Sequence, residues 1–384
     1  MIEIPYTVKI LASVILAFLL LGIAIIFINK TRKRRQQDAT VRERQSRKPF
    51  PQSATLSENA LIAKQGDPQS REQIIRDHYR DWLARYLLPT YDARGAFVRV
   101  GVERKRLRYQ VSTTSLAQGF ALLQSVLIGG DDLAASDRYE RLLTFVIAYP
   151  SNQSEYLCSW HTLPDMTAPP KLESDPHAEA WIAYSLLMAE KQWGQSENFD
   201  YKRMLKYRLS ALLELQQGIE ASDHKRAIYA PLFFDAFARH SNAEAWQKTA
   251  LDLRKELLAH IKGAELSADG SAEEAWLAFS TLHVGLAGLL LKESSHQSLA
   301  NQFEGLVYNA IKTLPAKLDQ ADEDGLSPLA LLACCAPLAM LQNDQDLLEK
   351  YWNTLSTHKS NQHDAIGDTL RLLALMTMNG NFWV

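Results

Sequence analysis

The sequence predicts an all-α domain in which six helical hairpins close into a ring, preceded by one N-terminal transmembrane helix. Three observations carry that expectation. Twelve segments between residues 71 and 378 repeat their apolar residues at helical spacing, are joined by short loops, and show no fixed-length repeat of the solenoid kind. Strand-like alternation is scarce, and the best example, Phe97 to Val102, is short. Residues Ile10 to Ile28 form an unbroken apolar run that, at about 1.5 Å of rise per helical residue, crosses the hydrocarbon core of a bilayer.

Residues 1–9 are a short tail ahead of the apolar run at 10–28. The run is followed by NKTRKRR rather than by a small-residue cleavage site, so it reads as a retained anchor. Lys30, Arg32, Lys33, Arg34 and Arg35 outweigh the lone Lys9 before the span, which by the positive-inside rule places the C-terminal bulk in the cytoplasm. Residues 29–70 read as a basic flank and a polar, partly disordered linker interrupted by Pro49, Pro51 and Pro68. Residues 71–384 are the helical domain. Its helices are expected at 71–88, 115–128, 137–148, 178–194, 201–217, 228–240, 243–260, 272–292, 298–313, 326–341, 345–355 and 363–378, while the loops at 90–112 and 149–176 lack clear periodicity.

With 384 residues, 47% of them hydrophobic, the chain can bury one large core or two medium ones. The net charge of -2 combines a basic N-terminal block with a mildly acidic remainder, which excludes nucleic acid as an expected partner of the domain. Cys158, Cys334 and Cys335 have no metal-ligand spacing and read as small core residues; neither a metal nor a cofactor is expected.

The domain is organised around HAEAWIAYSLLMAEKQWG at 177–194, where Trp181, Tyr184, Leu187, Met188 and Lys191 share a helix face. Glu173, Asp175, His177 and Glu179 cluster at its N-terminal mouth, where free backbone N–H groups favour acidic side chains and Pro176 suits the first turn. The pattern reads either as a buried helix with a solvated acidic cap or as polar groups presented into an aromatic-floored cleft, the arrangement that holds sugars.

AWIAYSLLMAEKQWGQSENFDYKRML at 180–205 resembles the corresponding helix and loop of family-8 glycoside hydrolases, the bacterial endoglucanase, chitosanase and xylanase family. In the right order, SLAQGFALL at 115–123 is similar to the family's S-E-G-Q-G helix start, LCSWH at 157–161 to its L-M-A-W segment, and IGDTLRLLALMTMNGNFWV at 366–384 to its closing helix. YAPLFFDAFAR at 229–239 agrees more loosely. The resemblance covers roughly residues 75 to 384 and implies an (α/α)6 barrel with a cleft across one end of the ring.

It also implies where chemistry should lie. Glycoside hydrolysis needs a carboxylic acid to protonate the leaving oxygen and a second carboxylate as base or nucleophile. The family's acid, the Glu of S-E-G-Q, corresponds to Leu116, which cannot donate a proton. Its acidic pair before the central helix corresponds to His177 and Glu179, or to Asp175 if the loop shifts by two residues. Its base, in a Y-D-A-x-R segment, corresponds to Glu274, with Leu277 where the Arg stands; Glu273 and Glu274 also read as a solvated helix start. Gln118, Phe120, Trp160, Trp181, Tyr184 and Tyr229 fall where the family lines its cleft or its core, and His161 and His177 could supply a proton in a rewired site.

These implications define two expectations. The first is a membrane-anchored, catalytically impaired relative that binds or organises a β-1,4-linked glycan, or a membrane glycosyltransferase, in exopolysaccharide or cell-envelope polysaccharide synthesis. The second is a working endo-β-1,4-glucanase with a relocated acid, Glu179, Asp175, His177 or Glu173 supplying the proton and Glu274 serving as base. The setting expected is the bacterial inner membrane, with the domain cytoplasmic by the charge rule and periplasmic by analogy with the family.

Overall fold

The computed structural model describes residues 46–52, 54, 56, 68–105, 108–164, 171–218, 228–261, 265–266, 271–318, 326–359 and 364–384. The expected tail, transmembrane helix and most of the basic flank and linker lie outside these residues. Among the described residues no helix is long and apolar enough to cross a membrane.

Thirteen α-helices are described: α1 (Pro68–Tyr86), α2 (Ser115–Ile128), α3 (Ala135–Ala148), α4 (Pro176–Trp193), α5 (Tyr201–Gly218), α6 (Pro231–His240), α7 (Ala243–His260), α8 (Ala272–Leu290), α9 (Ser294–Asn301), α10 (Glu304–Thr313), α11 (Pro328–Ala339), α12 (Gln345–Thr357) and α13 (Ala365–Met378). Six form an inner ring in which α2 packs on α4, α4 on α6, α6 on α8, α8 on α11, α11 on α13, and α13 back on α2. Composition selects them. Every residue of α11 is buried, as is every residue of α2 except Leu116 and of α13 except Ile366. The remaining helices lie outside, and α12 shows why: it buries only Leu347, Leu348, Tyr351, Trp352 and Leu355, one helical stripe. At the closest approach of α2 and α4, a Cβ on Gly119 would stand 2.8 Å from Trp181 Cβ, so only glycine lets these helices meet.

Each outer helix carries the chain back to the start of the next inner one, so the inner helices run parallel and their N-termini gather at one end. That end leaves many unsatisfied N–H groups. Thr114, Asp175, Ser271, Ser327 and Asp364 each accept from one of them. We call this end the mouth.

The helix expected at 298–313 is two helices, α9 and α10. Gln302 and Phe303 leave the helical path between them, and Phe303 turns into the core. Strand structure exceeds the expectation: β1 (Leu87–Pro89) pairs antiparallel with β2 (Ala96–Val98), and β3 (Gly101–Lys105) pairs with β4 (Arg108–Thr114), which also meets β5 (His161–Thr162). The expected strand at 97–102 is broken between β2 and β3.

Residues 46–52 and 54, within the expected linker, lie across the opposite end of the ring. Arg47 N–H donates to Gln192 O at 2.9 Å, Lys48 N–H to Gln192 Oε1 at 2.8 Å, Gln52 N–H to Asn381 Oδ1 at 2.7 Å and Ala54 N–H to Gly380 O at 3.0 Å. Phe50 is buried between them. Gly130 permits this closeness, since a Cβ there would stand 2.3 Å from Phe50 N.

Candidate active site

Three stretches converge at the mouth. Thr113 and Thr114 pair with Thr162 and His161, Ser115 N–H donates to Trp160 O at 3.0 Å, and Trp160 N–H donates to Glu173 O at 2.9 Å. The start of α2, the 160–162 turn and the approach to α4 are thereby fixed together. Leu116 stands there half-buried, packed against the core. Trp160 is 47% exposed, with its ring 5.1 Å from that of His161. Just inside, Gln118 is fully buried; its amide N–H donates to Thr113 Oγ1 at 2.7 Å, while its carbonyl oxygen has no partner among the described residues.

Glu179 requires a correction. Its carboxylate is wholly buried, paired with Arg208 of α5, and accepts the Cys158 N–H at 2.6 Å and the Ser174 hydroxyl at 3.1 Å. It ties α4 to α5 and to Cys158 and Ser174, and its burial keeps it from a ligand at the mouth. Sequence reasoning missed Arg208, although it is the one cation on the apolar Leu205, Leu209 and Leu212 face of α5.

His177 also differs from its expected role. The Trp181 indole N–H donates to His177 Nε2 at 2.9 Å, and His283 Nε2, from α8, lies 3.0 Å from the same atom. An indole can only donate, so His177 Nε2 is an acceptor and the His283 Nε2–H shares its lone pair, an assignment made from the hydrogen bonds. Burial lowers the His177 pKa to about 3 and holds His283 well below the usual imidazole value. Both rings are neutral near pH 7, so His177 carries no proton to give as an imidazolium. His283 sits within the otherwise uncharged run WLAFSTLHVGLAGLL, and the sequence reading did not single it out.

The remaining carboxylates differ in placement. Asp175 is half-buried and caps α4 by accepting the His177 N–H at 2.9 Å; burial raises its carboxyl above the ordinary value against that hydrogen bond. Glu274 is buried in the first turn of α8, where its N–H donates to Ser271 Oγ at 3.1 Å, and Glu273 is exposed. Leu277, in place of the family's arginine, is buried. Among the described residues no cluster of three or more His, Cys, Asp or Glu could hold a metal.

Of the aromatic side chains expected in the cleft or the core, all but Trp160 lie in the core. Phe120 meets Trp181 edge-on at 4.7 Å, Trp181 meets Phe233 at 4.8 Å, and Tyr184 stacks on Phe233 at 4.2 Å. With Tyr229 these rings are buried and pack the core of the ring. Their helical spacing serves packing, which sequence alone does not separate from cleft lining.

A closed ring of six inner and six outer helical units with polar groups at one mouth is the architecture of an (α/α)6 glycosidase-like barrel. The model of Glycosyl hydrolases family 8 matches residues 101–216, the stretch that carries most of the motifs resembling that family. An endoglucanase of Bacillus sp. (strain KSM-330) is 29% identical over 178 residues, 46% of this chain and 37% of that protein. A beta-glucanase of Niallia circulans is 25% identical over 169 residues, 44% of this chain and 39% of that protein. The chain thus spans well under half the length of these two relatives. The apo beta-1,3-1,4-glucanase of Paenibacillus sp. X4 superposes with a TM-score of 0.72 at 18% identity, covering 88% of this chain and 99% of that one, a likeness of fold.

Proposed function

We propose that this protein is a catalytically impaired glycan-binding or scaffolding component of exopolysaccharide or cell-envelope polysaccharide synthesis, with a β-1,4-linked glycan as ligand. The observation that carries the reading is Leu116, an aliphatic side chain packed at the mouth where the family resemblance calls for a proton donor. Losing general acid catalysis typically lowers a rate by about 100- to 10,000-fold. The nearby Glu179 does not replace it, because Arg208 already holds that carboxylate inside the ring. Among the mouth residues described, Trp160 is the aromatic face left for a sugar to stack on.

The same reading places the chain in the bacterial inner membrane through residues 10–28, beside a membrane glycosyltransferase. The five basic residues after the span favour a cytoplasmic ring, for which a nascent chain at the synthase, or the synthase itself, is the fitting partner. A C-terminal reporter active only in the periplasm would reverse that side. Retention of the purified chain on β-1,4-glucan, chitosan or xylan, or co-purification with a membrane glycosyltransferase, is the expected result; neither occurring would end the proposal.

Asp175 carries a second reading, an active endo-β-1,4-glucanase with Glu274 as base. Burial raises the Asp175 carboxyl, which is what a proton donor working near neutrality needs. Turnover that disappears in Asp175→Asn and Glu274→Gln would establish this reading. No turnover by the unaltered chain across a broad pH range would remove it.

A further inference from the structure

Beside the mouth, where α3 ends and β1 turns into β2, lies a cavity of about 500 Å³ that none of the mouth residues described above lines. Its floor is aromatic. The rings of Phe97 and Phe145 lie 5.5 Å apart, and those of Phe145 and Tyr149 lie 4.5 Å apart. Tyr91 stands over it with its side chain wholly exposed. A large ring left entirely in water is not placed by packing.

The turn that presents Tyr91 is firmly held. Thr90 N–H donates to Gly95 O at 3.0 Å, Gly95 N–H donates to Thr90 Oγ1 at 2.9 Å, and Arg141 of α3 donates to Ala93 O at 2.9 Å. Ala93 has a φ of 59°, a left-handed conformation that an alanine adopts only under constraint. Such strain, of order 1–3 kcal/mol, persists where surrounding structure enforces it and concentrates at ligand clamps. The polar edge is equally fixed: Thr90 Oγ1 donates to Asp92 Oδ1 at 2.7 Å and Arg94 N–H donates to the same oxygen at 3.1 Å. Asp92 therefore presents carboxylate oxygens that can accept hydroxyl donors, with Arg94 beside them at 3.9 Å.

A preformed aromatic floor, a projecting ring and a fixed edge of hydroxyl and carboxylate acceptors match one ligand chemistry. A neutral pyranose has apolar C–H faces to lie on rings and hydroxyls around its edge. The volume falls within the usual range for small-molecule sites, about 300–1,000 Å³. We infer that this cavity is a second glycan-binding site, separate from the mouth, which takes one or two neutral pyranose units of a chain. The inference rests on the glycan-binding reading of the protein, but uses none of the same side chains.

Calorimetric titration of the full chain with hexasaccharides of β-1,4-linked glucose, glucosamine and xylose tests it, with Tyr91→Ala and Trp160→Ala beside the unaltered protein. Tyr91 is wholly exposed, so its removal leaves the fold intact. The expected result is that Tyr91→Ala weakens binding of the preferred oligosaccharide at least tenfold, with the residual binding removed in the double variant. If Tyr91→Ala binds as tightly as the unaltered chain while Trp160→Ala fails, this inference is overturned and the mouth reading stands. Binding lost in Tyr91→Ala but kept in Trp160→Ala would uphold the second site and overturn the mouth. Absence of binding by the unaltered chain to all three sugars would overturn both.

Discussion

At the end where the inner helices finish, residues 46–52 and 54 lie across the ring and hydrogen-bond to Gln192, Gly380 and Asn381. At the end where they begin, side chains are tied inside the ring instead, Glu179 to the Arg208 guanidinium and His177 to the Trp181 indole and the His283 imidazole. The first end is covered by backbone, whereas at the second these side chains are engaged inside the ring and Leu116, Trp160 and Asp175 remain partly exposed.

The sharpest way to break this comparison is at Arg208. Arg208→Ala would leave Glu179 as an uncompensated buried charge, at an expected cost of about 3–5 kcal/mol in chemical denaturation. Replacing both partners by leucine should recover most of that loss. If the single variant were as stable as the unaltered chain, Glu179 would not be the structural group described here.

Phe50→Ala tests the other end, with an expected loss of about 3 kcal/mol from emptying a buried aromatic site. No loss would mean that the strap merely rests on the ring. A chain begun at residue 71 should be destabilised for the same reason.

Acidification separates the two ends. The unfolded chain protonates His177 and His283 near pH 6.5, whereas burial keeps them neutral in the fold, His177 down to about pH 3. Their contribution is therefore complete above about pH 6.5 and falls as pH drops below it, by up to about 1.4 kcal/mol per pH unit for each histidine. Denaturation between pH 7 and pH 5 should show this slope, reduced in His283→Phe. An unchanged slope in that variant would place the titration elsewhere.

The smallest effect is expected at Gly130→Ala, whose Cβ meets strap backbone and should cost about 1–2 kcal/mol.

Much of the ring was legible because helical periodicity is local. Helices begin or end within a few residues of expectation from α1 to α13, apart from the break at Phe303, where one buried side chain redirects the backbone. The strap was not legible: KPFPQ reads as a prolyl linker, and only the distant Gln192 and Asn381 give it a place. The mouth was legible in location but not in pairing. Leu116, Trp160 and Asp175 lie on it, whereas Glu179 and His177 are withdrawn by Arg208 and His283, partners 29 and 106 residues away. Exposed Tyr91 belongs to a stretch without periodicity, so its aromatic neighbours became visible only in three dimensions.

The most direct measurement is reducing-end release by the full chain on β-1,4-glucan, chitosan and xylan, with Leu116→Glu run in parallel. No release by the unaltered chain, and release by Leu116→Glu, is the expected result: a glycan-binding mouth that lacks its proton donor. Release by the unaltered chain would contradict the account, since a group other than residue 116 would then be delivering the proton.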